Sequence, residues 1–182
     1  MSDQESHETS HVDHEQAAAY VGALGFAIIS LSDTRTEETD QSGQYIRQVV
    51  QDAGNHVTRY TIVKDDPDRI REQLHAALGD PDVAIVVTNG GTGVALRDAA
   101  YEIIVGFLEK RLDGFGELFR KLSFEEIGAA AMMSRAVGGI ARGKVVFSLP
   151  GSTKAVRLGM EKLILPQAAH LYWELHKDNE TS

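Results

Sequence analysis

A chain of 182 residues with 42% hydrophobic content is long enough to bury one core, and its formal net charge of −9 argues against binding along a nucleic-acid backbone. With no cysteine, disulfides, zinc–thiolate sites and thiol catalysis are excluded. No apolar run reaches the roughly 18 residues of a membrane-spanning helix, and the polar, acidic start lacks the pattern of a signal peptide, which points to the cytoplasm.

Residues 1–19 carry His7, His11 and His14 among acids and serines. They read either as a small metal site or as a solvated tail, and the near absence of apolar residues favours the tail. Residues 20–176 read as one domain, with 17–24 as a short entry helix and 177–182 as a frayed end. Gly25–Leu31 (Gly-Phe-Ala-Ile-Ile-Ser-Leu) is a first buried strand. It opens into Ser32-Asp33-Thr34-Arg35, in which Ser32 and Asp33 read as turn formers and loop caps or as residues at the same sheet edge as the glycine-rich turn. Asp40 or Ser42 can cap the next helix, whose stripe is Ile46, Val49, Val50 and Ala53, and Gly54 ends it.

His56–Val63 is a second strand, followed by Lys64-Asp65-Asp66-Pro67. Asp66 is the natural N-cap with Pro67 in the first turn, and Ile70, Leu74, Ala77 and Leu78 give that helix its inner face. Asp65 is then surplus to capping. Residues 83–87 form a third, β-branched strand expected to stop at Thr88, followed by Asn89-Gly90-Gly91-Thr92-Gly93. Strand, helix, strand, helix, strand at these lengths predicts right-handed βαβ units and a largely parallel sheet.

A helix is expected from Asp98 to about Val105, then a short strand within 106–112 and a helix over 114–121 with Phe115, Leu118, Phe119 and Leu122 inward. Ser123-Phe124-Glu125-Glu126 has the form of a capping box and predicts a separate helix through Met133. Residues 136–141 and Lys144–Leu149 read as a strand pair turning at Gly143. A second strand-to-helix loop, Pro150-Gly151-Ser152-Thr153, follows, then a stripe of Val156, Met160 and Leu163 and a last helix opening at Pro166.

In open α/β sheets ligands bind beyond the carboxyl ends of the strands, which is where the glycine-rich segment falls. Residues 90–93 therefore read as a phosphate or nucleotide cradle, with a purely structural turn as the alternative. The acidic composition is compatible with a nucleotide held locally by glycines and a metal.

The ordered set Ser32-Asp33-Thr34-Arg35, Asp40-x-Ser42-Gly43, Asp65-Asp66, Gly90-Gly91-Thr92-Gly93 with Arg97-Asp98, Gly114-Phe115-Gly116-Glu117-Leu118-Phe119-Arg120, Ser123, Ser134-Arg135 and Leu149-Pro150-Gly151-Ser152 closely resembles the MoaB/MogA family of molybdenum-cofactor biosynthesis proteins, the molybdopterin adenylyltransferases. The likeness spans about residues 24 to 172. It implies a three-layer α/β/α domain of the molybdopterin-binding-like fold, assembled as a trimer or hexamer. It also implies a reaction in which Mg²⁺-ATP and molybdopterin give adenylylated molybdopterin and pyrophosphate, ahead of a later-acting metal-insertion protein that brings molybdate or tungstate.

Carried over by position, the resemblance makes Asp65 and Asp98 the essential acidic residues and holders of Mg²⁺. Gly90, Gly91, Thr92 and Gly93 would hold phosphate through backbone N–H groups, and Ser32, Asp33, Ser134, Arg135, Pro150, Gly151 and Ser152 would line the same pocket. The sequence departs from the family pattern at Lys64, where proline is common, and at Asn89, where threonine is usual. It departs again at Ala99-Ala100-Tyr101-Glu102, where the run is close to Val-Thr-Pro-Glu. The lost hydroxyl at Ala100 keeps open a rival reading, a molybdopterin-binding protein with little or no transferase activity.

Overall fold

The computed structural model describes residues 21–95 and 98–178. The three tail histidines, the start of the 17–24 segment, Arg97 and residues 179–182 lie outside the described residues.

Six strands form one sheet in the order β2-β1-β3-β6-β5-β4, where β1 is Gly25–Leu31, β2 His56–Val63, β3 Ile85–Asn89, β4 Lys110–Arg111, β5 Val137–Ala141 and β6 Lys144–Leu149. The four strands β2, β1, β3 and β6 are parallel, whereas β5 pairs antiparallel with both β6 and β4, so the sheet is mixed. All seven residues of β1 and all five of β3 are buried, as expected of strands covered on both faces. β3 runs past Thr88, contrary to expectation, because Thr88 and Asn89 still pair with Ile29 and Ser30 of β1 and with Ser148 and Leu149 of β6. The turn between β5 and β6 places Arg142 (φ 50°) and Gly143 (φ 71°) both at positive φ, the form that a two-residue hairpin loop demands.

Helices cover the two faces. On one lie α1 (Gln41–Asp52), α4 (Asp113–Ile127), α5 (Thr153–Gly159) and α6 (Leu165–His176). They bury Ile46, Val50, Phe115, Phe119, Val156 and Ala168 in one core with Phe26, Ile28, Ile85, Val87 and Phe147. On the other face, α2 (Pro67–Gly79) and α3 (Ala100–Phe107) bury Ile70, Leu74, Ala77 and Ile104 against Ala27, Ile29, Val86 and Val146. The layering is α/β/α. Deleting a side chain such as Leu74, 1% exposed, to alanine costs about 2–5 kcal/mol in cores of this kind.

Two expectations fail on the second half of the chain. The capping box does not open a new helix: α4 runs through Ser123, which is buried, and ends only at Gly128 (φ 63°). No glycine or proline lies between Glu117 and Ile127, so nothing interrupts the helix, and residues 128–133 follow as a 3₁₀ segment. Leu118 faces outward at 51% exposure, while Phe115 and Phe119 take the inner face. A single wide π turn, Met160–Ile164, joins α5 to α6, with Pro166 in the first turn of α6. Among the described residues no helix is long and apolar enough to cross a membrane.

Candidate functional site

The neighbours β1, β3 and β6 release their loops at one edge of the sheet, and these loops form the walls of a cleft of about 480 Å³. Its floor is the glycine turn. Gly90 (φ 99°) and Gly91 (φ 62°) are both left-handed, and a Cβ on Gly90 would stand 2.3 Å from the Leu31 carbonyl oxygen. The Gly90 amide donates to the Leu149 carbonyl at 3.0 Å, and a Cβ on Gly151 would lie 3.0 Å from the Gly90 Cα, so the β3 and β6 loops pack backbone against backbone. Glycine is required where two chains approach this closely.

Both singled-out aspartates lean on this turn. A Cβ on Gly91 would lie 3.1 and 3.2 Å from the carboxylate oxygens of Asp65, and one on Gly93 would lie 2.1 Å from Oδ2 of Asp98. Asp98 also accepts from the Ala95 amide at 3.2 Å, which folds the segment after the glycines back on itself. Asp66 caps α2 by accepting from the amides of Asp68 and Arg69, which leaves Asp65 outside the cap. Asp33 accepts from the Asp65 amide at 3.3 Å and so ties the β1 loop to the β2 loop.

The cleft wall holds Ser32, Gly90, Gly91, Thr92, Gly93, Ser134, Pro150 and Gly151 of the residues singled out from sequence. Asp33, Asp65, Asp98, Arg135 and Ser152 are not among the residues that line it. Arg135 grips the turn from outside: its Nε donates to the Thr92 carbonyl at 3.0 Å and Nη2 to the Gly93 carbonyl at 2.6 Å. Its third nitrogen bonds Glu102, and this hydrogen bond holds the Glu102 carboxyl below its usual range. Ser152 caps α5, accepting from the Ala155 amide at 3.3 Å. Ser32 Oγ accepts from the amides of Thr34 and Arg35, which shapes the β1 loop.

The sequence reading misses Leu31, Thr34, Arg35, Ala130 and Met133 as wall residues. Arg35 is the informative one. Its Nη1 pairs with Asp40 at 3.2 Å and reaches Asn89 Oδ1 at 3.5 Å, and Nη2 donates to the Gly151 carbonyl at 2.8 Å. Asp40 is fully buried and also accepts from the Tyr60 hydroxyl at 2.8 Å and the Gly43 amide at 3.1 Å. Burial and the Asp40 hydrogen bond together push the Tyr60 phenol well above its ordinary range. Ser42 Oγ gives the Gly151 carbonyl a second donor at 2.8 Å. Asn89 therefore sits in the strand, with Nδ2 donating to Ser30 Oγ at 2.8 Å, rather than in the turn. Ala100, fully buried, presses its methyl toward Gly91, 2.6 Å from where a Cβ there would be.

Comparison with known proteins places the chain in a family. A family described as "Probable molybdopterin binding domain" matches residues 27–170. Molybdenum cofactor biosynthesis protein B of Bacillus cereus is 52% identical over 151 residues, covering 82% of this chain and 89% of that protein. The Bacillus subtilis protein of the same name is 45% identical over 167 residues, covering 91% and 97%. Among solved structures, a molybdenum cofactor biosynthesis protein B superposes with a TM-score of 0.83 at 51% identity, covering 85% of this chain and 97% of that one. The tungsten cofactor synthesizing protein MoaB from Pyrococcus furiosus gives 0.77 at 37% identity, covering 84% and 97%. With residues 27–170 matched by the family and about half of the residues identical over most of the chain, the chain belongs to the molybdopterin-binding-domain family of molybdenum cofactor biosynthesis proteins.

Proposed function

We propose that the protein acts in molybdenum or tungsten cofactor biosynthesis by adenylylating molybdopterin with Mg²⁺-ATP. The observation that carries the reading is the placement of Asp65 and Asp98, from two different loops, against Gly91 and Gly93 of one turn. In the reaction, an oxygen of the molybdopterin phosphate attacks the α-phosphorus of ATP. The bond from that phosphorus to the bridging oxygen breaks, and pyrophosphate leaves with the bonding pair. Two polyanions must approach each other, so the site has to offer donors and counter-charge where negative charge gathers.

The backbone amides of residues 91–93 would offer donors at the cleft floor, whereas the Gly90 amide is already taken by the Leu149 carbonyl. Among the described residues no group of three or more His, Cys, Asp or Glu side chains is gathered for a metal. That suits Mg²⁺, which takes one or two carboxylates and completes its shell with water and phosphate oxygens. Asp65 and Asp98 would hold it, and it would neutralise phosphate charge when bound. No covalent nucleophile is needed. The remaining residues orient: Asp33 fixes the Asp65 backbone, and Arg135 fixes the carbonyl side of the turn.

The test is release of pyrophosphate by the purified protein from molybdopterin, ATP and Mg²⁺. Asp65→Ala and Asp98→Ala should each slow it by about a hundredfold or more. Normal turnover by either variant overturns its role. A second reading, a molybdopterin-binding module, is favoured by one observation: at Gly91 the neighbouring side chain is the Ala100 methyl, so no hydroxyl is offered there. Wild-type protein that binds molybdopterin and releases no pyrophosphate establishes that reading instead.

A further inference from the structure

A chain of net charge −9 repels polyanions, so any site for phosphate needs its positive potential built locally. Among the described residues of the cleft wall one charged side chain is present, Arg35. Its side chain is 30% exposed, whereas its partner Asp40 is completely covered. Asp40 accepts from Arg35, Tyr60 and the Gly43 amide together, so the negative end of the ion pair is sealed inside the fold. The positive end is the part that meets the cleft. The bonds to Asp40, Asn89 and the Gly151 carbonyl occupy at most three of the five guanidinium donors, which leaves at least two for a ligand.

We propose that Arg35 is the cation that receives the phosphoryl oxygens of the substrate, and that buried Asp40 is the positioning residue that sets the plane of its guanidinium. This rests on the reading of the cleft as a phosphate-binding site and assigns its recognising side chain. A planar fork fixed from behind suits two oxygens of one phosphate, and it reaches the ligand with little further loss of side-chain freedom. The same fork holds the Gly151 carbonyl, so the charge and the β6 loop are set by one side chain. Asn89, the departure from the family's usual threonine, belongs to this arrangement: its amide links Ser30 to the Arg35 guanidinium across the ends of β1 and β3.

The test is calorimetric titration of the full chain with inorganic pyrophosphate and with Mg²⁺-ATP, alongside melting of the ligand-free protein. Arg35→Gln should weaken both ligands by about tenfold or more in a protein that still folds, at a lowered melting temperature because buried Asp40 loses its cation. Arg35→Lys should recover part of the loss, because an ammonium keeps the charge without the fork. Asp40→Asn should weaken pyrophosphate as well; should that variant fail to fold, Tyr60→Phe replaces it, with a smaller loss. The dependence of pyrophosphate affinity on salt should flatten in Arg35→Gln, which a merely structural role would not produce. Wild-type affinity and salt dependence in Arg35→Gln overturn the assignment and leave adenylylation standing. Wild-type protein that binds neither ligand overturns it as well. Binding that depends on Arg35 in a protein that never releases pyrophosphate confirms the assignment and removes the proposed reaction.

Discussion

The guanidinium carbon of Arg135 lies 4.6 Å from the ring centroid of Tyr101, while two of its nitrogens hold the carbonyls of Thr92 and Gly93. A guanidinium held by a ring face and by hydrogen bonds at its edge is fixed in plane, and here it fixes the glycine turn in turn. Tyr101 stands where the family pattern usually has proline, so this support for Arg135 is a property of this chain. Tyr101→Leu removes a contact worth about 0.5–1 kcal/mol and should lower the melting temperature only slightly. Arg135→Ala leaves both turn carbonyls without their donor and should weaken pyrophosphate binding about tenfold. Parallel titration of the two variants checks this order of effects, and equal affinities in both would refute the clamp.

The two glycines beneath the aspartates separate fold from function. At Gly91 an added Cβ meets the Ala100 Cβ at 2.6 Å with φ at 62°, so Gly91→Ala is strained by crowding and by backbone together. It should destabilise the protein by about 1–3 kcal/mol. At Gly93 the obstruction is a carboxylate oxygen of Asp98, the end of a side chain that can swing aside. Gly93→Ala should therefore melt close to the wild type yet release pyrophosphate slowly, because Asp98 has been displaced. Denaturant unfolding beside the pyrophosphate assay distinguishes the two cases.

Tyr60 carries a pH prediction. Burial first, and then the hydrogen bond to Asp40, keep its proton on to higher pH than the ordinary phenol value of 10.0. The folded state thus holds more protons than the unfolded state above pH 10, so this stabilising contribution is complete below about pH 10 and is lost as pH rises through the raised folded value. Alkaline titration at 295 nm should show little difference between wild type and Tyr60→Phe until well past pH 10. Tyr60→Phe itself should lower stability at neutral pH by about 1–2 kcal/mol, having lost a hydrogen bond to a buried carboxylate. An additional phenol titrating near pH 10 in the wild type would contradict the assignment.

The parallel half of the sheet is legible in the sequence because β1 and β3 are written as unbroken apolar runs, and Gly90 and Gly91 are legible because their turn admits little else. Arg35 is not legible as a wall residue. Its position depends on the buried Asp40 and on the Gly151 carbonyl, 116 residues further along the chain, and local pattern carries no trace of that pairing. Ala130 and Met133 are hidden for another reason. The Ser123 capping pattern suits a helix start and a helix interior equally, and only the packing of Ser123 decides for the interior. The residues after Gly128 then turn as a 3₁₀ segment toward the cleft instead of continuing a helix.

An open groove of about 630 Å³ runs between the start of α4 and the π turn and α6, lined largely by apolar side chains that include Leu112, Phe115, Leu118, Leu163, Pro166 and Leu171. Leu118 of this groove is 51% exposed. An open apolar groove of this kind on a protein of net charge −9 is suited to cover by another copy, because like-charged surfaces have to approach where charge is sparse. We expect a trimer or hexamer at micromolar concentration, measured by light scattering on a sizing column. Leu118→Glu, at an exposed position that the fold does not need buried, should shift it toward monomer with the melting curve of each subunit retained. A wild-type protein that elutes as a monomer throughout that range removes the interface.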